Sequence, residues 1–110
     1  MFISRPIQSY PVSIFIAAAY GDALYSAQNY CDEVGLCVSI TKARYVYTGG
    51  TEDGVIVGLI NYPRFASTPE AIWAHAEALA ARLCVEADQQ SYTIQAPDKT
   101  IFYSHREQDQ

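Results

Sequence analysis

Two apolar runs constrain this chain more than any other feature. Val12-Ser-Ile-Phe-Ile-Ala17 and Val55-Ile-Val-Gly-Leu-Ile60 lack the polar/apolar alternation of a strand with one wet face, and read as strands buried on both sides. Only two segments carry the periodicity of a helix that would cover such a sheet. One sheet face is therefore expected to take its cover from a second molecule, and that expectation is the strongest functional indication in the sequence.

The remaining elements follow from periodicity and punctuation. The first strand spans about Tyr10 to Ala18. Gly21-Asp22 opens a helix with Asp22 as N-cap; Leu24, Ala27, Cys31 and Val34 recur at helical spacing, and Gly35 stands where a C-terminal cap belongs. The second strand runs from Leu36 to about Thr48, with a phase slip around Lys42-Ala43 that predicts a bulge. Gly49 to Gly54 reads as a hairpin loop and Val55 to Tyr62 as the third strand. A second helix begins at Thr68 as N-cap, with Pro69 in the first helical position and Glu70 at the positive end of the dipole. Its core stripe is Ile72, Ala76, Leu79 and Leu83, and it ends near Asp88. Ser91 to Gln95 and Thr100 to Ser104 form two last strands around the turn Ala96 to Lys99, and the polar tail from His105 is expected to fray. The order is β-α-β-β-α-β with one added strand. That predicts an α+β, ferredoxin-like fold: an antiparallel sheet with both helices on one face, in one domain over residues 1–110.

Charge narrows the partners. Seven basic against twelve acidic residues leave a net charge of −5, and the chain has only two lysines, too few for a general binder of phosphate backbones. Acidity of this size serves solubility or a basic protein partner. Cys31, Cys37 and Cys84 are odd in number and lack C-x-x-C spacing, so reduced thiols and a cytoplasmic location are expected. Arg5 followed by Val12 to Ala19 imitates a secretory signal, but Pro6 and Pro11 interrupt its approach and the segment reads as the first strand. No apolar run approaches the ~18 residues of a membrane span.

Most candidate chemistry dissolves on inspection. The glycines of Gly49 to Gly54 do not open a helix, have no Lys-Ser/Thr ending, and flank Glu52 and Asp53, which would repel phosphate. Those two carboxylates are too few for calcium, and no histidine pair lies near the cysteines at zinc spacing. No G-x-S-x-G elbow is present, and no cofactor fingerprint. His75 projects beside Arg82 and Glu86 and reads as a solvated helix histidine; His105 lies in the tail; Trp73 sits at the edge of the core stripe. An RNA-recognition reading fails because the third strand is aliphatic where base-stacking aromatics would stand.

Two constellations remain. Arg44, Tyr45 and Tyr47 on the second strand are expected to face Asn61, Tyr62 and Arg64 across the hairpin, where two arginines among tyrosines would grip an anionic ligand or a partner carboxylate. On the second helix, Ala71, Ala74, Ala78, Ala81 and Val85 form a small-residue face that would admit a close helix neighbour. With no catalytic, metal or cofactor residues to name, the sequence reads as a small acidic binding or inhibitor protein. It is expected to act as a homo-oligomer through protein–protein contact rather than as an enzyme. Its size, acidity and lack of a chemical signature are similar in general character to phage-encoded inhibitors, a likeness of composition rather than motif. The alternatives are a dimeric α+β barrel enclosing a small-molecule site, enzymatic or not, and a sponge for an anionic metabolite or nucleotide.

Overall fold

The computed structural model describes residues 1–110. Five strands and two helices follow the order β1 (Val12–Ile16), α1 (Tyr20–Val34), β2 (Val38–Tyr47), β3 (Gly50–Leu59), α2 (Pro69–Glu86), β4 (Ser91–Ala96) and β5 (Lys99–Ser104). Short 3₁₀ turns lie at Pro63–Phe65 and Glu107–Asp109. The strands form one antiparallel sheet in the order β2-β3-β1-β4-β5, and the fold is α+β, ferredoxin-like, with the added strand at one edge.

Both central strands alternate strictly, which corrects the reading of two-sided burial within one chain. Val12, Ile14, Ile16, Val55, Val57 and Leu59 point at the helices and are at most 2% exposed, whereas Phe15 and Ile56 point the other way and are half-buried. The apolar residues between them simply belong to the second, uncovered face. Leu79, Leu83, Ile72 and Ala76 of α2 close the core over β1 and β4 as the helical stripe requires. The start of α2 also agrees with its signals, since Thr68 Oγ1 accepts from Ala71 N–H at 3.2 Å. Trp73 is buried, and the Lys99 ammonium lies 4.1 Å from the centre of its ring.

The first helix departs from expectation in both cap and phase. Its N-cap is Ala19 without a side-chain bond, and Asp22 sits in the first turn, where its charge meets the positive end of the dipole. Its buried face is Ala23, Ser26, Ala27 and Tyr30, while Leu24 and Val34 are 49% and 43% exposed. Small residues let α1 lie close to the sheet and to α2, and that contact overrides the larger apolar stripe. The helix–helix seam is polar. Ser26 Oγ donates to Glu86 at 2.6 Å, Tyr30 and His75 Nδ1 share a hydrogen bond of 2.7 Å, and Arg82 grips Glu33 with two bonds of 2.7 and 2.9 Å. His75 is thus a partly buried bonded group, not a solvated one.

The hairpin corrects the sequence reading most. The β2–β3 register is continuous from Val38↔Leu59 to Tyr47↔Gly50, so Lys42-Ala43 makes no bulge, and the connection is the turn Thr48-Gly49 rather than a loop to Gly54. Gly49 takes φ +89°, the left-handed region where a side chain is strained. Residues Gly50 to Gly54 therefore belong to β3 and pair only with β2, because β1 pairs β3 from Val55 onward. The result is a two-stranded arm projecting beyond the sheet, in a molecule of 51 × 28 × 24 Å. At its root the Tyr45 ring covers Gly54: a Cβ there would meet that ring at 2.4 Å and the Ile16 carbonyl oxygen at 2.6 Å. The tail closes on itself and on the α2–β4 connection, with Ser104 Oγ donating to Asp109 at 2.6 Å and His105 N–H to the Gln90 carbonyl at 3.1 Å.

Candidate functional site

The register that moves the hairpin also separates the expected arginine–tyrosine constellation. Arg44 pairs with Asp53 and Tyr47 with Gly50 on the arm, whereas Asn61, Tyr62 and Arg64 follow the far end of β3. From Asp53 to Leu59 alone the strand advances roughly 20 Å. The two arginines therefore do not form one grip. Arg44 is held by Asp53 at 2.7 Å. Asn61 is buried and structural, its Nδ2 donating to the Gln8 carbonyl at 2.8 Å and its Oδ1 accepting from Ser67 N–H at 2.9 Å. Tyr62 stacks on Phe65 with ring centroids 6.3 Å apart, and Arg64 is exposed on the 3₁₀ turn. Of the six, only Tyr45 reaches a cleft with convergent chemistry. Of the alanine face, Ala74, Ala78, Ala81 and Val85 are exposed and Ala71 is half-buried.

That cleft lies on the open face, at the root of the arm. One cross-strand row, Thr41, Ile56, Phe15, Thr93 and Phe102, runs the width of the sheet on the side away from the helices. Where β1 ends, Phe15, Ile16 and Ala17 form the floor of a cleft of about 220 Å³. Tyr45 and Glu52, a directly opposed pair on the arm, make one wall; Thr93 and Phe102, with Gln89 and Arg106 from the segments flanking β4 and β5, make the other. Phe102 is 57% exposed, a large apolar surface left to solvent in the isolated chain.

The polar groups of the cleft differ in how much of their bonding capacity the chain already uses. Tyr45 donates its hydroxyl to the Val55 carbonyl at 2.5 Å, and burial pushes its pKa up, so it serves as a fixed neutral ring. Behind the sheet, Tyr103 gives its hydroxyl to Glu77 at 2.5 Å and stacks on Tyr92 with centroids 4.9 Å apart; burial, then the Glu77 carboxylate, raises its pKa far above the ordinary tyrosine value. These contacts tie β5 to α2 and to β4 on the helix side of the sheet. Glu52 forms no hydrogen bond or ion pair within the chain, and the Arg106 guanidinium has only Asp109 at 3.9 Å. A free carboxylate, a guanidinium without a hydrogen-bonded partner and an aromatic lining suit a ligand that is flat and apolar in one part and carries both signs of charge in another.

Other depressions lack this convergence. An apolar groove of about 280 Å³ between α1 and β2, lined by Leu24, Cys31, Leu36 and Ile40 among others, has no charged group and is the margin of the core left by the phase of α1. An open depression of about 460 Å³ at Pro11, Ser13, Gln95, Ala96 and Pro97 continues the open face beyond the cleft. Burial raises the pKa of Cys84 and of Cys31, so neither thiol is an activated nucleophile. The chain holds no cluster of three or more potential metal ligands, and no helix is long and apolar enough to cross a membrane.

The sequence reading missed Phe102, Thr93, Gln89 and Arg106, and set Glu52 aside as turn chemistry. The alternation of the last two strands did carry a signal, since Phe102 and Thr93 fall on the face opposite Ile94. Nothing local marked Arg106, because only the fold of the tail brings it to the cleft.

No family model matches the chain, and no curated protein matches it significantly. Solved structures do. A phage SAM (S-adenosylmethionine) lyase in its apo state superposes with a TM-score of 0.78 at 17% identity, covering 96% of this chain and 98% of that one. A phage SAM lyase in complex with S-methyl-5'-thioadenosine gives 0.74 at 17% identity, with 94% and 96% covered. The whole chain thus shares the fold of an enzyme that holds a small-molecule thioether nucleoside, and this overturns the reading of a non-enzymatic binding or inhibitor protein. Of the alternatives, the small-molecule site agrees better with these findings.

Proposed function

We propose that this chain is an enzyme that cleaves a carbon–sulfur bond of S-adenosylmethionine or a closely similar sulfonium nucleoside in the open-face cleft. The single observation behind the proposal is the agreement between the end-to-end likeness to a phage SAM lyase and the chemistry of that cleft. The substrate carries a sulfonium, an ammonium and a carboxylate beside a flat nucleobase. An aromatic lining of Phe15, Tyr45 and Phe102 attracts a sulfonium through the ring faces, and the free carboxylate of Glu52 adds to that attraction. When the bond from sulfur to the amino-acid chain breaks, its electron pair stays on sulfur and a neutral thioether leaves. The substrate's own carboxylate oxygen bonds to the released carbon and closes a lactone, so that no proton is gained or lost. No acid is needed to protonate it, so binding and orientation carry most of the work. A site without a nucleophile–base pair is adequate for such a reaction.

We further propose that the working unit is a homo-oligomer whose copies meet on the open sheet face. A cleft of about 220 Å³ is smaller than the ~300–1,000 Å³ of a site that encloses a ligand. A second copy laid on Phe15, Ile56 and Phe102 would deepen it and cover the exposed apolar surface.

The direct test incubates the purified chain with S-adenosylmethionine and follows S-methyl-5'-thioadenosine by liquid chromatography. Accumulation of the thioether in step with loss of substrate supports the reading; substrate that decays no faster than in buffer overturns it. Light scattering after size exclusion is expected to give a multiple of 12.2 kDa, and a monomer at working concentration would sink the oligomeric part.

A further inference from the structure

We propose that Arg106, carried by the folded C-terminal tail, recognises the carboxylate at the amino-acid end of the substrate and so makes the cleft distinguish substrate from thioether product. The inference rests on the assignment of the open-face cleft to a sulfonium nucleoside. Among the basic side chains, Arg44 and Arg82 already hold carboxylates at 2.7 Å, and the two lysines lie over aromatic rings. Arg106 is the basic residue that lines the cleft. Its nearest acid, Asp109, is turned to Ser104, whose Oγ it accepts at 2.6 Å, and so stays 3.9 Å from the guanidinium. The planar fork of donors is left without a hydrogen-bonded partner, in the geometry that best matches a carboxylate.

The tail is built to hold the fork there. Arg106 N–H donates to Ser104 Oγ at 3.2 Å, and the His105 ring donates through Nε2 to the Gln89 carbonyl at 2.9 Å. Gln89 itself lines the cleft, so the tail is pinned to the same wall that it completes. Glu52 on the arm and Arg106 on the tail thus offer opposite charges from opposite walls, as the ammonium and carboxylate of an amino-acid end require. The thioether product has neither group.

The experiment compares Arg106→Ala and Arg106→Lys with the wild type in two measurements: KM for S-adenosylmethionine and the calorimetric Kd for S-methyl-5'-thioadenosine. Loss of a charge-assisted bidentate contact is expected to raise KM by about 10- to 100-fold in Arg106→Ala, with partial rescue by lysine and no change in product affinity. A substrate analogue lacking the carboxylate should not distinguish the variants. An unchanged KM overturns the inference alone, as does an equal loss of product affinity, which would mean the tail merely shapes the cleft. Wild-type protein that binds neither compound overturns the assignment of the cleft and this inference with it.

Discussion

The two faces of the sheet are made by the same strands, yet they behave as different materials. On the helix side, Ile14, Val57 and Ile94 are sealed at 0% exposure beneath Leu79 and Leu83. On the other, their immediate neighbours Phe15, Ile56 and Thr93 stay half-buried, and Phe102 is 57% exposed. The difference teaches where a domain of this size can keep its functional surface. Burial against the helices supplies the core, which frees the opposite face to hold apolar surface for a ligand or a second copy at a tolerable cost in stability.

Four experiments would break or sharpen that contrast. The largest effect should come from the sealed face: Leu79→Ala removes a 0% exposed side chain and is expected to cost about 2–5 kcal/mol in urea denaturation. A loss below ~1 kcal/mol there would mean that α2 is not the clamp described. Phe102→Ala on the open face should reverse the balance. Its stability should change by less than ~1 kcal/mol, while ligand affinity falls by about tenfold as an aromatic anchor is lost; equal losses on both faces would erase the distinction between them.

Glu52→Gln keeps the shape of the arm and removes only charge. It should weaken binding of S-adenosylmethionine more than binding of the neutral thioether, and leave the melting temperature unchanged. A melting temperature that drops instead would show Glu52 to be structural. The smallest effect belongs to the helix seam. Hydrogen bonding to Arg82 holds the Glu33 carboxyl below its ordinary value of 4.5. Because the folded pKa is the lower one, this pair stabilises the protein above pH 4.5 and the contribution is lost as pH falls through the depressed value. Glu33→Gln should therefore melt slightly lower than wild type at pH 7 and alongside it in acid. The difference should stay small because water screens so exposed a pair. A gap that persists at low pH would point to packing rather than charge.

The arm and the tail show where reading the chain residue by residue succeeds and where it stops. Thr68-Pro69-Glu70 identifies the start of α2 because capping is local chemistry, settled within one turn of backbone. Gly49 to Gly54 misleads because three glycines resemble a loop, while Tyr45 shields Gly54 inside a strand from a position nine residues away. That one misplacement put Arg44 opposite Arg64, although β3 carries their surroundings to opposite ends of the sheet. The same limit explains Leu24: helical periodicity picked it as core, but the close contact of Ala23, Ser26 and Ala27 set the rotation of α1.

The order of elements, the antiparallel sheet with two helices on one side, and the apolar surface left on the other are written in the sequence, because periodicity and caps act over a few residues. The site is not. Phe15, Glu52 and the Phe102–Arg106 stretch come from three distant parts of the chain, and each alone resembles ordinary strand, turn or tail. Only strand register and the folding of the tail bring them around one cleft, since register is decided by the summed packing of both partners and a slip of one residue would turn every side chain to the other face.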